Sequence, residues 1–250
     1  MVFVGIDLAW SEANPSGAVA LGWDGLRARP LRWESGLGED LELLAFVEGT
    51  VGTGPGLIAV DAPLLVPNET GTRPCDRELS REYRWAQAQA YPANRRRLGP
   101  QVRGEALARA LEKKCFIHSP HVQRKRPVRQ VVEVFPHPAM IELFGLPKIL
   151  RYKARPGRSQ ALRWRELRRF RELLFRLACA EPAMEGEAIL RAAEPWGKRG
   201  KELKALEDLL DALFCAYIGL HLWYWGPAGY RLFGDEKTGY ILVPVRPNAR

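Results

Sequence analysis

The chain opens on an apolar, β-branched run over residues 2–10, VFVGIDLAW, broken by a single carboxylate, Asp7. Asn14-Pro15-Ser16-Gly17 follows and has the chemistry of a turn. A second apolar run covers 17–23, and Asp24-Gly25 is a hairpin dipeptide. Residues 26–34 then alternate apolar with basic side chains, as an edge-like antiparallel strand does. Three consecutive strands joined by tight turns are predicted. Leu41, Leu44, Ala45 and Val47 recur at helical spacing over 39–48, and the Gly-rich stretch 49–56 stops that helix. Residues 57–60 are a short apolar strand with Asp61 at its carboxyl end, so the opening order is β-β-β-α-β.

After Pro63 the pattern becomes polar and Pro-containing over 66–74, then helical over 76–89 and 102–114. A strand over 131–135 follows the basic loop Arg124-Lys125-Arg126. Further helices are predicted over 138–144, 160–177 and 204–225. In the second of these Leu167, Phe170, Leu174 and Leu177 form an apolar stripe, with Arg165, Arg168, Arg169 and Arg176 mostly off it. No repeat or low-complexity linker marks a boundary. The expectation is one α/β domain over 1–250. Its mixed five-stranded sheet, three antiparallel strands then parallel ones, is flanked by helices, and 63–127 is inserted as a helical cap that selects the substrate.

A chain of 250 residues, 46% hydrophobic with 8 Trp, can bury a sizeable core, which excludes a disordered chain. The formal net charge of +9 favours a polyanionic partner. Solubility accounts for it equally well, and the preference for Arg over Lys is also a mark of thermal adaptation. Cys75, Cys115, Cys179 and Cys215 have no zinc spacing and read as free thiols of a reducing cytosol. The N-terminus lacks a cationic leader, and the longest apolar stretch, 212–226, is too short to cross a bilayer. A cytoplasmic protein with no membrane partner is expected; oligomeric state is not readable.

The carboxylates change the picture most. Burying a lone carboxylate costs several kcal/mol unless a metal, a proton or hydrogen bonds compensate. Here it happens repeatedly: Asp7 interrupts VFVGIDLAW, Asp61 interrupts LIAVDAPLL, and Glu133 interrupts VVEVF. Asp208 and Asp211 lie one turn apart in EDLLDALFCAY. Each has an ordinary alternative: Asp7 and Asp61 as caps, Glu133 paired with an arginine, Asp208 on a solvated first turn. If the first and fourth strands are parallel neighbours, Asp7 and Asp61 emerge at the same end of the sheet, where α/β proteins place ligands. A helix crossing that end can add Asp211.

Order and motifs resemble the ribonuclease-H-like superfamily, and most closely an uncharacterised family of predicted RNase H-like nucleases. The segments that carry the resemblance are GIDLAWS at 5–11, VDAPL at 60–64, R-x-x-D at 73–76, RG-x-x-L at 103–107, EVFPHPA at 133–139 and D-x-x-DAL at 208–213. The resemblance implies Mg²⁺ or Mn²⁺, two ions, hydrolysing a phosphodiester. Asp7 would bridge both ions, Asp61 would bind one, Asp208 and Asp211 the other, and Glu133 would be an extra ligand. Nucleic acid, DNA or RNA, is the implied partner.

Arg73, Arg77, Arg103 and Lys204 are the expected substrate contacts, although Lys204 also simply balances the acidic helix. Further basic clusters at 95–97, 124–126 and 151–158, interleaved with Tyr91, Tyr152 and Trp164, could track a phosphate backbone and stack bases. A non-catalytic nucleic-acid-binding or scaffold protein of the same fold is the alternative. A sugar-kinase or actin-like phosphotransferase would need Gly-rich phosphate loops, and no segment resembles one.

Overall fold

The computed structural model describes residues 1–11 and 14–247. Strands β1 (Val2–Asp7), β2 (Ser16–Trp23) and β3 (Arg27–Leu37) form the antiparallel meander, followed by α1 (Asp40–Val51) and β4 (Gly56–Val60). Helices α2 (Pro74–Glu82), α3 (Arg95–Leu98) and α4 (Arg103–Glu112) come next, then β5 (Ile117–His118), β6 (Arg129–Glu133) and α5 (Pro136–Phe144). The rest of the chain is α6 (Gln160–Phe175), β7 (Ala183–Met184), α7 (Glu187–Ala192), α8 (Gly200–Trp225) and the hairpin β8 (Tyr230–Asp235) and β9 (Gly239–Pro244).

The main sheet has the order β5-β6-β4-β1-β2-β3-β7. β1 pairs antiparallel with β2 and parallel with β4, and β6 continues the parallel half. All five expected strands are present, but the sheet has seven: β5 and β7 extend its two edges by two residues each. Strands that short carry no detectable periodicity and blunt the edges against further pairing. The chain after 225 also holds the β8–β9 hairpin, for which no element was expected.

Alternation along the strands builds two cores. Phe3, Leu57 and Ala59 pack on the side of α8. Val4, Ile6, Ile58 and Val60 face the other side, with Leu43, Phe46 and Val47 of α1 and Leu107 and Leu111 of α4. Within 63–127, α2, α3 and α4 are helical, α4 also packs into the second core, and β5 joins the sheet. Helices α2 and α5 begin at Pro74 and Pro136, because proline is favoured in a first turn, where its missing N–H goes unused.

α8 is apolar on nearly every side because it is sandwiched between the sheet and α5 and α6, against which Phe214 meets Phe144 and Phe170. It lies almost on the backbone of the sheet. A Cβ at Gly5 would overlap the Ala212 carbonyl and the Ala216 amide, and one at Gly17 would stand 2.6 Å from the Asp208 carbonyl oxygen. No described helix is long and apolar enough to cross a membrane. Gly5→Ala is expected to cost about 3 kcal/mol in urea unfolding, by overpacking this seam. Gly38→Ala, whose Cβ would meet only a side-chain oxygen at 3.9 Å, should change stability by about 0.5 kcal/mol or less. Equal effects would show that the seam yields.

Candidate active site

Strand parity decides which carboxylates meet. Asp7 follows Phe3 and Gly5 on the α8 side of β1, and Asp61 follows Leu57 and Ala59 on the same side of β4. The Asp61 amide donates to the Ile6 carbonyl at 2.9 Å, which carries the two strands in step past their last paired residues. Because Gly5 and Gly17 let α8 touch the sheet beside them, Asp208 and Asp211 are delivered to the same end.

Lys153, from the loop between α5 and α6, closes the cluster. Its ammonium pairs with Asp211 and lies 3.4 Å from an Asp7 carboxylate oxygen. The Tyr152 hydroxyl donates to Asp211 Oδ1 at 2.6 Å. Asp208 pairs through Oδ1 with Lys204, while its Oδ2 is buried with no hydrogen-bond partner.

The charge balance is acidic. Burial lifts the Asp61 carboxyl well above its ordinary range, and Asp7 and Asp211 add to the rise. Burial and Asp7 push Asp208 up to about 7, against Lys153 and Lys204. Burial raises Asp211 to about 6, opposed by Lys153. Burial alone would strip the Lys153 proton, but Asp211 and Asp7 outweigh it and hold the ammonium charged. His137, nearby, is driven down to about 3 by burial and by the cations Lys153, Arg155 and Arg158, so it stays neutral. Among the described residues, no three His, Cys, Asp or Glu side chains already stand as a metal cage. What the cluster does offer is hard oxygen donors from separate elements, one of them unpartnered, with less positive charge than negative. Hard oxygen donors of this kind are the type that Mg²⁺ or Mn²⁺ takes, and Asp7, Asp61, Asp208 and Asp211 are the residues that would supply them.

Several expected roles are corrected. Glu133 pairs in register with Val60, so it turns to the face away from α8. There it accepts from the Leu64 amide at 2.8 Å and from both terminal nitrogens of Arg73, at 3.0 and 2.7 Å. Arg73 is 1% exposed and also binds Asp76 through two hydrogen bonds, so its guanidinium is spent inside the fold and not on a substrate. Arg103 is likewise buried: it donates to Asp40, to the carbonyls of Ala9, Ser11 and Gly38, and to Ser16. It clamps the loop after β1 and does not face outward. Lys204 balances Asp208, and Arg77 is exposed on α2. Tyr152 is fully buried and Trp164 packs at a tilt against Trp196, 5.0 Å between centroids.

A pocket of about 580 Å³ opens over Asp7 and Asp61. Trp10, Gln87, Gln89 and Tyr91 line it beside Lys153 and Arg155. Of these only Tyr91, Lys153 and Arg155 stand out in the sequence, as parts of basic clusters. Trp10 lies inside the GIDLAWS segment, but one exposed aromatic among apolar neighbours gives no signal of its own. Gln87 and Gln89 lie where a continuous helix was expected; α2 instead ends at Glu82, and a single tight turn over 84–86 leads into the loop.

Fold and pocket together define an α/β mixed-sheet protein with an acidic centre at the carboxyl ends of its central parallel strands. The chain belongs to a family described as a protein of unknown function, DUF429, whose family model matches residues 5–237. No curated protein and no solved structure matches it.

Arg73→Met leaves Glu133 and Asp76 buried without their counter-charge and is expected to cost about 3–5 kcal/mol in urea unfolding. The exposed Arg77→Ala should stay within about 0.5 kcal/mol. A tolerated Arg73→Met would mean that the buried trio contributes little. Asp208 gives a pH test in the presence of a chelator. Its folded value is raised from 3.8 to about 7, so the native state holds this proton more tightly than the unfolded chain. The resulting penalty is absent below 3.8, grows through that window and is complete above it. Asp208→Asn should therefore gain stability relative to the wild type as pH rises from about 4 to about 7. A difference that is flat, or that falls, contradicts the assignment.

Proposed function

We propose that this chain is a metal-dependent nuclease of the RNase H-like type, cutting phosphodiester bonds at Asp7, Asp61, Asp208 and Asp211. The observation that carries the reading is the meeting of carboxylates from β1, the end of β4 and α8, with Asp7 and Asp61 lining a pocket and the buried Asp208 and Asp211 beside them only partly balanced by Lys153 and Lys204. Proteins keep such an arrangement at a stability cost where a cation or a charged reactant completes it. Two divalent ions supply, when bound, acidification of a water and neutralisation of the charge building on the phosphate oxygens.

The protein's own groups have distinct parts. Asp7 stands between the Asp61 side and the α8 side, so it is the residue suited to serve both. Asp211 is oriented by the Tyr152 hydroxyl, and Asp208 presents its unpartnered oxygen. Lys153 and Arg155, on the pocket wall, offer the cations that a phosphate group approaching an acidic floor requires. No side-chain nucleophile is needed.

One observation favours a second reading, a non-catalytic nucleic-acid-binding module. The Lys153 ammonium already answers Asp7 and Asp211, so part of the acidic charge is neutralised from within the chain.

A thermal-shift titration with MnCl₂ and MgCl₂ separates the two. For the nuclease, the wild type should gain about 5–10 °C at roughly a hundredfold excess over Kd, and Asp7→Asn should gain almost nothing. Labelled single-stranded, duplex and branched DNA and RNA should be cut with Mn²⁺. Asp61→Asn should slow the cutting by about 10²–10³-fold, the scale on which loss of one charge-stabilising group acts. Nucleic-acid binding with neither shift nor cleavage selects the module.

A further inference from the structure

Apart from Asp7 and Asp61 the pocket wall carries no carboxylate, Asp76 and Glu133 lying paired with Arg73 in the small pocket beside it; its polar groups are amides, cations, the His137 imidazole and the Tyr91 hydroxyl. Trp10 is 42% and Tyr91 50% exposed. Leaving two such rings in water forgoes the stabilisation that burying them would bring. Neither is a loose ornament. The Trp10 loop is held by Arg103 through the Ala9 and Ser11 carbonyls, and the Tyr91 ring is layered by Arg155 at 5.2 Å and Arg97 at 5.7 Å. The rings are presented before any ligand arrives.

Gln87 and Gln89 add side-chain amides, each both donor and acceptor, the pattern that reads the edge of a base. Gln87 holds this place at φ 61, a left-handed conformation uncommon for a residue with a side chain. On the cationic side, Arg155 has no carboxylate at ion-pair distance among the described residues. Burial and the neighbouring Arg155 and Arg151 also depress the basicity of Arg158. Cations crowded together without counter-charges favour an anion between them.

The shape excludes one form of nucleic acid. A base inside a duplex has both faces covered by its neighbours, so exposed rings and guanidinium layers gain nothing from it; only an unstacked base offers a face. A volume of about 580 Å³ suits one small-molecule-sized group, the range for such sites being roughly 300–1,000 Å³. We infer that the pocket seats one unstacked nucleotide of a single strand. Its base lies against Trp10 and the Arg155–Tyr91 layer, and its edge is read by Gln87 and Gln89. Its phosphate points toward Lys153 above Asp7 and Asp61. Single-stranded DNA or RNA, or an unpaired end, is thus the substrate class of the site read above as a nuclease; the inference rests on that reading for the chemistry and not for the binding.

The test is fluorescence anisotropy of the full chain with end-labelled thymidine and uridine oligonucleotides and a blunt duplex of equal length, in EDTA and again in CaCl₂. In at least one buffer the single strands should bind at least about tenfold tighter than the duplex. There Trp10→Ala and Tyr91→Ala should each weaken single-strand binding about fivefold or more, equivalent to ~1 kcal/mol per stacked base, and leave duplex binding unchanged. Both residues are exposed, and circular-dichroism melting checks that the variants fold. The deoxyribose and ribose arms identify which strand is preferred.

Duplex binding equal to or tighter than single-strand binding in both buffers overturns the inference. So do folded variants that bind single strands as the wild type does. Single strands held as described but never cut in Mn²⁺ would support the pocket and sink the nuclease. A chain that cuts while preferring duplex would sink the pocket and leave the nuclease standing.

Discussion

The contact between α8 and the first two strands governs everything downstream of it. A helix normally rests on a sheet through a layer of side chains; here Gly5 and Gly17 remove that layer, and helix backbone meets strand backbone. The gain is proximity: carboxylates rooted on the helix come level with carboxylates rooted at strand ends, without long side chains to span the gap. On the helix side Gly219 makes room for strand side chains: a Cβ there would stand 2.9 Å from the Leu57 side chain and 3.4 Å from that of Ala59. The same contact explains why α8 is apolar on every side and why its two aspartates stand out so sharply against it.

Proximity has an electrostatic consequence. Burial raises the proton affinity of Asp61, Asp208 and Asp211, and the neighbouring carboxylates raise it further. The fold relieves this only in part, with Lys153 among them and Lys204 at the rim. The result is an acidic centre whose charge the chain's own cations balance only in part. Glu133 shows the opposite solution. It is as deeply buried, and burial raises its proton affinity too, but Arg73 and the Leu64 amide donate to its two oxygens.

That contrast marks the limit of what could be read in advance. Asp7, Asp61 and Asp211 were legible because a charge in an apolar run is anomalous and needs a reason. Glu133 presents the same anomaly, and its different fate was hidden. β6 is buried on both faces, so no apolar–polar alternation reveals which way Glu133 points, and its partner lies 60 residues away. Arg73 and Arg103 sit in polar stretches that look solvated; their burial is a tertiary fact. The meander and α1 followed from period and turn chemistry, whereas the parallel pairing of β1 with β4 entered only as a condition. The β8–β9 hairpin could have been found, since apolar runs flank Asp235-Glu236-Lys237-Thr238-Gly239, whereas β5 and β7 are too short for any pattern.

The Arg103 clamp joins regions that have no other reason to depend on each other. Its guanidinium reaches Asp40 at the start of α1, on the far side of the sheet, and at the same time the loop that carries Trp10 at the pocket mouth. A mutation at position 40 therefore acts at a distance, removing the carboxylate partner of a guanidinium that also holds the rim. Loss of the acid at 40 leaves a buried cation short of its counter-charge, a cost that a change at 103 would relieve. The far side of the sheet thus holds a share in the precision of the pocket.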